Sequence, residues 1–319
     1  MRNSNSIMVF LLLAILSLCK PNSLVCNEKE KQALLRFKQA LTDPANRLSS
    51  WSLTEDCCGW AGVRCDNVSG RVFELHLDNP YDPHAVKFNG RSALGGEISP
   101  ALLELEYLNF LNLSLNDFGG APIPSFLGSM RSLTYLSLWG ASFGGLIPHQ
   151  LGNLSNLRHL DLGGNSGWID LHRDVHWLDS LSLLASLSEL NLPNCQLNSM
   201  ISSLGFMGQL PHLSPNVIGL NMADNLFSGQ ISSFLCQKMN GRSKLEILDI
   251  SNNALSGELG HCLMHWQSLT HLNLGSNNLS GGIPEFMGSL FSLKALHLHN
   301  NSFSGGIPLS LRNCTFWAS

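Results

Sequence analysis

Leu269-Thr-His-Leu-Asn-Leu-Gly-Ser-Asn277-Asn-Leu-Ser-Gly-Gly-Ile-Pro284 is followed, 24 residues on, by Leu293-Lys-Ala-Leu-His-Leu-His-Asn-Asn301-Ser-Phe-Ser-Gly-Gly-Ile-Pro308. Both read LxxLxLxxNxhSGGIP, where h is Leu279 or Phe303. Residues two apart in a strand leave the same face, so Leu272 and Leu274 point to one side and His271 and Asn273 to the other. One side is core and the other is open. Asn277 can turn its amide inward onto backbone groups stranded where the chain leaves the strand, groups that are costly to bury unpaired. Gly281 and Gly282 allow backbone angles closed to other residues, and Pro284 fixes φ on the outer side of the turn. A unit this small buries too little to offset the ordering of its own backbone, so it needs a neighbour on each side.

Working outward, regular turns open at Leu108, Leu133, Leu157, Leu187, Val217, Leu245, Leu269 and Leu293. The inward-amide position holds Asn116, Ala141, Asn165, Cys195, Asn225, Asn253, Asn277 and Asn301. This asparagine ladder predicts a stack of parallel turns. Ala141 cannot make the bond, which predicts a weak joint between the second and third regular turns, whereas the thiol of Cys195 can serve as a weak donor. Longer turns insert Gly167 to Ser186, Asn198 to Pro215 and Cys236 to Lys244, expected mostly on the side away from the strands.

Towards the N-terminus, Val72 to Leu77 reads as a degenerate first strand, and Asp78 to Ser92, with two prolines and no apolar period, as a surface loop. Before it, Asn27 and Glu30 read as the N-cap and third-position partner of a helix carrying Leu34, Phe37 and Leu41 on one side, stopped by Asp43-Pro44. That helix is expected to cap the open end of the stack. Cys26, Cys57, Cys58 and Cys65 form an even set that admits three pairings; adjacent Cys57 and Cys58 are expected to bond different partners, which leaves two, and of these Cys26–Cys57 with Cys58–Cys65 is favoured. Their spacing is not a usual zinc pattern. Cys236 and Cys262 occupy similar places on adjacent turns and are expected to pair, leaving Cys195 and Cys314 as buried thiols.

Residues 1–23 carry Arg2, an apolar run from Ile7 to Leu18 and small or polar residues at Ser17, Cys19 and Ser23, the pattern of a secretory signal peptide. No later stretch has the length and apolarity of a membrane span. The division is therefore 1–23 signal peptide, 24–70 cap, 71–107 degenerate first repeat with its loop, and 108–319 about eight repeats ending without a terminal cap. Six glycosylation sequons, at Asn67, Asn112, Asn153, Asn278, Asn300 and Asn313, fit a secreted chain, and sugars at Asn112 or Asn300 would occupy the open face.

The 319 residues are 44% hydrophobic and only 13% charged, which excludes a solvated disordered chain, and a formal charge of −4 without a basic stripe excludes nucleic acid as a partner. There is no phosphate-cradling glycine loop, no GxSxG and no HExxH, so no enzyme constellation and no cofactor are expected. His261 and His265 stand four apart, but on the outer side of a repeat they read as surface residues rather than metal ligands.

Function is expected on the open face. Its candidates are Phe110, Tyr135, Trp139, Arg158, His159 and Asp161 on early turns and His271, His297 and His299 on late ones. Phe110, Tyr135 and Trp139 are expected on consecutive turns about 5 Å apart. Exposed aromatics with polar rims suit protein or glycan contact. The alternative is that these rings pack on one another or lie under an Asn112 glycan.

The cap residues Cys26, Ala33-Leu-Leu-Arg-Phe-Lys38, Asp43-Pro44, Leu48-Ser-Ser-Trp51 and Asp56-Cys-Cys-Gly-Trp-Ala-Gly-Val-Arg-Cys65, followed by LxxLxLxxNxLSGxIP turns, resemble the plant leucine-rich-repeat receptor-like proteins. Phe118-Gly-Gly-Ala-Pro-Ile-Pro124 and Leu190-Asn-Leu-Pro-Asn-Cys-Gln-Leu197 are most similar to the branch of the fungal ethylene-inducing xylanase receptors. The resemblance implies a right-handed α/β solenoid, secreted to the apoplast or held at the plasma-membrane exterior. Its inner sheet would bind a peptide or protein ligand outside the cell, with partner kinases as co-receptors. Two alternatives are a secreted inhibitor of microbial wall-degrading enzymes, similar to polygalacturonase-inhibiting proteins, and a non-functional receptor fragment.

Overall fold

A computed structural model describes residues 25–80, 92–165, 180–195, 197, 214–236 and 244–314. The expected signal peptide, most of the first surface loop, most of the three insertions and the residues after Cys314 lie outside the described residues.

In chain order the strands are β1 (Leu41–Thr42), β2 (Val63–Cys65), β3 (Val72–His76), β4 (Gly95–Gly96), β5 (Phe110–Asn112), β6 (Tyr135–Ser137), β7 (His159–Asp161) and β8 (Glu189–Asn191). They continue with β9 (Gly219–Asn221), β10 (Ser228–Gln230), β11 (Ile247–Asp249), β12 (Ala254–Gly257), β13 (His271–Asn273), β14 (Asn278–Gly282), β15 (Ala295–His297) and β16 (Ser302–Ser304). One ten-stranded sheet runs β2-β3-β5-β6-β7-β8-β9-β11-β13-β15, parallel throughout except for the antiparallel β2–β3 pair. A second, four-stranded sheet, β10-β12-β14-β16, covers part of the outer side, together with 3-10 turns such as Glu285–Ser289, which follows Pro284.

The register aligns the middle leucine of each strand, and Leu75, Leu111, Leu136, Leu160, Leu190, Leu220, Leu248 and Leu272 are at most 1% exposed. Each turn closes at the residue before the ladder position: Leu115, Gly140, Gly164, Asn194, Asp224, Asn252, Ser276 and Asn300 all take φ between 51° and 69°. That left-handed kink turns the next residue inward, so Asn and Gly recur there.

The ladder has a direction. Asn165 Nδ2 donates to Leu138 O of the preceding turn and to Leu162 O and Gly163 O of its own, while its Oδ1 accepts from Phe143 N. Asn116, Asn225, Asn253, Asn277 and Asn301 repeat the pattern. Because each amide reaches backward, the joint that Ala141 leaves bare lies between the first and second regular turns, not the second and third. Backbone closes it: Phe118 N donates to Ala141 O at 3.0 Å and Gly120 N to Ser142 O at 2.7 Å. Phe118 and Phe143 stack across the same joint at 4.6 Å. Cys195 stands in for the asparagine, its sulfur 3.4 Å from Leu162 O, and burial pushes its thiol up to about 12. In the degenerate first turn the substitute comes from far away, since the Arg47 guanidinium donates to Leu77 O, Asp78 O and Asn116 Oδ1.

The cap helix, Glu28–Ala40, is started by Asn27, whose side chain accepts from Lys29 N and Glu30 N. Ala33, Leu34 and Phe37, fully buried, lie on the first turns. The helix ends at Ala40, and Leu41 instead pairs in β1 with Gly96. Glu30 does not reach back to Asn27 as a capping partner. It is fully buried, and its carboxylate accepts from Val72 N at 2.8 Å and from Arg71 at 3.2 Å, pinning the cap to the first strand. Disulfides join Cys26 to Cys57, Cys58 to Cys65 and Cys236 to Cys262, while Cys195 and Cys314 are buried free thiols.

Candidate functional site

Strand register arranges the open face in rows. One row runs Glu74, Phe110, Tyr135, His159, Glu189, Gly219, Ile247, His271 and Ala295; beside it runs His76, Asn112, Ser137, Asp161, Asn191, Asn221, Asp249, Asn273 and His297. Parallel strands lie about 4.8 Å apart, so flat rings in one row of adjacent strands are driven to stack.

They do. Phe110 and Tyr135 stack at 4.1 Å, Tyr135 and His159 at 4.2 Å, and His76 closes the other end on Phe110 at 4.4 Å. A carboxylate holds each terminal imidazole: Glu74 Oε2 accepts from His76 Nε2 and Glu189 Oε2 from His159 Nδ1, both at 2.7 Å. His159 Nε2 is buried and has no hydrogen-bond partner among the described residues. The result is a rigid apolar ridge that turns ring edges to solvent and has an acid at each end.

Of the residues expected from sequence, Phe110, Tyr135 and His159 are brought together in this ridge. Trp139 is not on a consecutive turn: it lies four residues after Tyr135 on the same turn, two rows over and 39% exposed, with its indole across Gly164 of the next turn. The alternative packing of rings on one another thus holds for Phe110 and Tyr135, while Trp139 stays open. Asp161 accepts from Gly163 N at 3.0 Å, and burial raises its pKa above the ordinary carboxylate value. The phenol of Tyr135 is raised too, by burial first and by Asp161 second. Arg158 is exposed at the margin.

The late histidines form a separate group. His271, on β13, is four strands from His159, about 20 Å at ordinary spacing. His297 and His299 meet edge to face at 6.3 Å, with the His299 ring over Gly275. The sequon residue Asn112 is half-buried on β5 beside Phe110, and its Oδ1 accepts from Ser114 N and Oγ. Asn300 is exposed at the edge of the same face; Asn67, Asn153 and Asn278 are exposed elsewhere, and the side chain of Asn313 lies outside the described residues.

Sequence reading missed His76, Glu74 and Glu189. The signal for Glu189 was its place in the His159 row; His76 sits on the degenerate strand, where the period breaks. It also missed why Asn or Asp recurs in the second row. There the side-chain oxygen accepts from the N–H two residues on, as in Asn221 to Ala223 and Asp249 to Ser251.

His261 and His265 fall on a 3-10 turn, where residues four apart do not align, and the His261 ring packs on Phe286. Among the described residues the one group with metal-ligand geometry is Cys26, Cys57, Cys58 and Cys65, whose sulfurs are spent in disulfides. No described helix is long and apolar enough to cross a membrane.

Family comparison agrees with this architecture. The Leucine rich repeat N-terminal domain matches residues 27–66, and the Leucine Rich Repeat matches residues 132–154, 244–266, 268–290 and 292–314. Receptor-like proteins EIX1 and EIX2 of Solanum lycopersicum are each 36% identical over 79% of the chain. The chain spans about a quarter, 26%, of the length of each of these relatives. Among solved structures, the Arabidopsis receptor kinase HAESA, in complex with the peptide hormone IDA and the co-receptor SERK1, is 28% identical with a TM-score of 0.69. That match covers 91% of this chain and 44% of HAESA. A plant ice-binding protein, also 28% identical, has a TM-score of 0.61 over 89% of both chains. With cap, ladder and open sheet all in place, the chain belongs to the leucine-rich-repeat receptor-like proteins.

Proposed function

We propose that the chain is an extracellular recognition module whose open sheet face binds a peptide or protein ligand, together with a co-receptor kinase. It performs no chemistry of its own. The observation that carries this reading is the ring ridge His76–Phe110–Tyr135–His159, with exposed Trp139 beside it. A rigid aromatic surface loses little conformational entropy on contact, which is why such residues anchor interfaces. The complex of HAESA with a peptide hormone and a co-receptor supports the assignment by analogy.

The test is direct binding of extracellular peptide and protein fractions to the immobilised full chain, with a Tyr135→Ala/Trp139→Ala variant alongside. A loss of about tenfold or more in affinity is expected. Unchanged binding by a variant that still melts cooperatively moves the ligand off this face.

A further inference from the structure

One strand of the open face lacks a side chain where its neighbours carry one, and the fold does not require the gap. Gly219 opens β9 and is flanked across the sheet by Glu189 of β8 and Ile247 of β11. Its φ is not left-handed, and an added Cβ would meet only Glu189 Cγ, at an ordinary 3.5 Å. Glycine paired into a sheet costs stability, and without a Cβ it leaves room for another molecule to come close to the backbone. The gap has apolar flanks, with Ile218 37% and Ile247 47% exposed.

Among the described residues the charge around it is mostly acidic. Asp161, Glu189, Asp224, Glu246 and Asp249 stand on the turns from β7 to β11, against Arg158, His159 and Lys244, whose Nζ donates to Asn216 Oδ1. Asp224 accepts from Asn252 Nδ2, and Asp249 from Ser251 and Asn273; all three donors are neutral. Among the described residues no Lys or Arg forms an ion pair with any of the five, and His159 with Glu189 is their one ionic contact. Carboxylates left without cations on a binding surface select a cationic partner and speed its encounter.

We propose that the middle of the open face seats an extended basic peptide, with one bulky apolar side chain in the gap over Gly219 and Lys or Arg residues on either side of it, one towards Asp161 and Glu189 and another towards Asp249. This rests on the open face being the ligand surface and adds the ligand's chemistry.

The probe is a positional-scanning library of decapeptides passed over the immobilised full chain. The retained pool should be enriched in Lys or Arg beside Leu, Ile or an aromatic residue. Gly219→Leu should retain about tenfold less of that pool without any loss of melting temperature, and Asp161→Asn/Asp249→Asn should lose the basic enrichment. Gly219→Ala, the smallest intrusion, should fall between. A pool no more basic than the input, or equal retention by Gly219→Leu, overturns the inference while leaving recognition by this face intact. A wild-type chain that retains no peptide overturns it together with peptide recognition.

Discussion

Tyr135 and His159 lie ring on ring, centroids 4.2 Å apart and planes 6° from parallel, 24 residues apart in sequence but adjacent across β6 and β7. The ridge is therefore a structural element as well as a surface, and the two roles separate by substitution. Tyr135→Phe keeps the stack and should change stability by no more than about 0.5 kcal/mol, while Tyr135→Leu forfeits two ring contacts and should cost about 1–2 kcal/mol. Urea midpoints decide the matter. Equal midpoints for both variants would show that the stacking contributes nothing.

The ladder makes an asymmetric pair of predictions. Asn165→Ala leaves the buried Phe143 N–H without its acceptor and takes one of the donors from each of Leu138 O, Leu162 O and Gly163 O, and should cost roughly 1–3 kcal/mol. Ala141→Asn looks like a repair, but Ala141 is fully buried and Phe118 N is already satisfied by its carbonyl. An amide forced into that packed site should destabilise by about 1–3 kcal/mol. A stabilised Ala141→Asn protein would mean that the backbone closure described above is weak.

On the outer side, the Cys236–Cys262 disulfide closes a loop of sequence separation 26. It ties the short helix Ile231–Cys236 to the next 3-10 turn, His261–His265. Chain-entropy reasoning gives roughly 3 kcal/mol for a loop of that length. Cys236→Ala/Cys262→Ala should lose about that much by denaturant melt while leaving open-face binding unchanged. A weakening of both together would show that the outer side is coupled to the face.

The features legible from sequence were those that repeat. Leu272 and Leu274 recur at fixed spacing because a stack of turns presents one environment over and over, and Asn277 recurs for the same reason. Adjacent Cys57 and Cys58 seldom bond each other, which left two of the three pairings of Cys26, Cys57, Cys58 and Cys65, and the structure holds the favoured one, Cys26–Cys57 with Cys58–Cys65. What stayed hidden was aperiodic or directional. Arg47 fills the ladder place of the first turn from 30 residues upstream of Leu77, through a long side chain whose destination no spacing reveals. The backward reach of each asparagine, which moved the Ala141 joint by one turn, is a property of the three-dimensional winding. The place of Trp139, by contrast, is legible: it stands with Tyr135 between Leu133 and Leu157, where successive turns open, and so on the same turn rather than the next. His76 joined the ridge from a strand whose period is broken by the loop after it.

Asp161 gives the stability of the free protein a pH signature. Its folded pKa lies above the ordinary 3.8, chiefly because burial disfavours the charged form and only partly offset by the Gly163 N–H, His159 and Asn191. For such a group the folded chain holds the proton where the unfolded chain has released it. Stability therefore falls as pH rises from about 3.8 through the raised folded value, and the cost is fully present above it. Asn, which stands at the same row position in Asn191 and Asn221, can accept from Gly163 N without bearing charge. Asp161→Asn should therefore be more stable than wild type at neutral pH, and the difference should shrink as pH is lowered towards 3.8. Paired urea melts across that range measure it. A gap that widens on acidification would mean that the carboxylate is stabilised by a partner rather than destabilised by burial, and would remove the reason to expect a cationic ligand there.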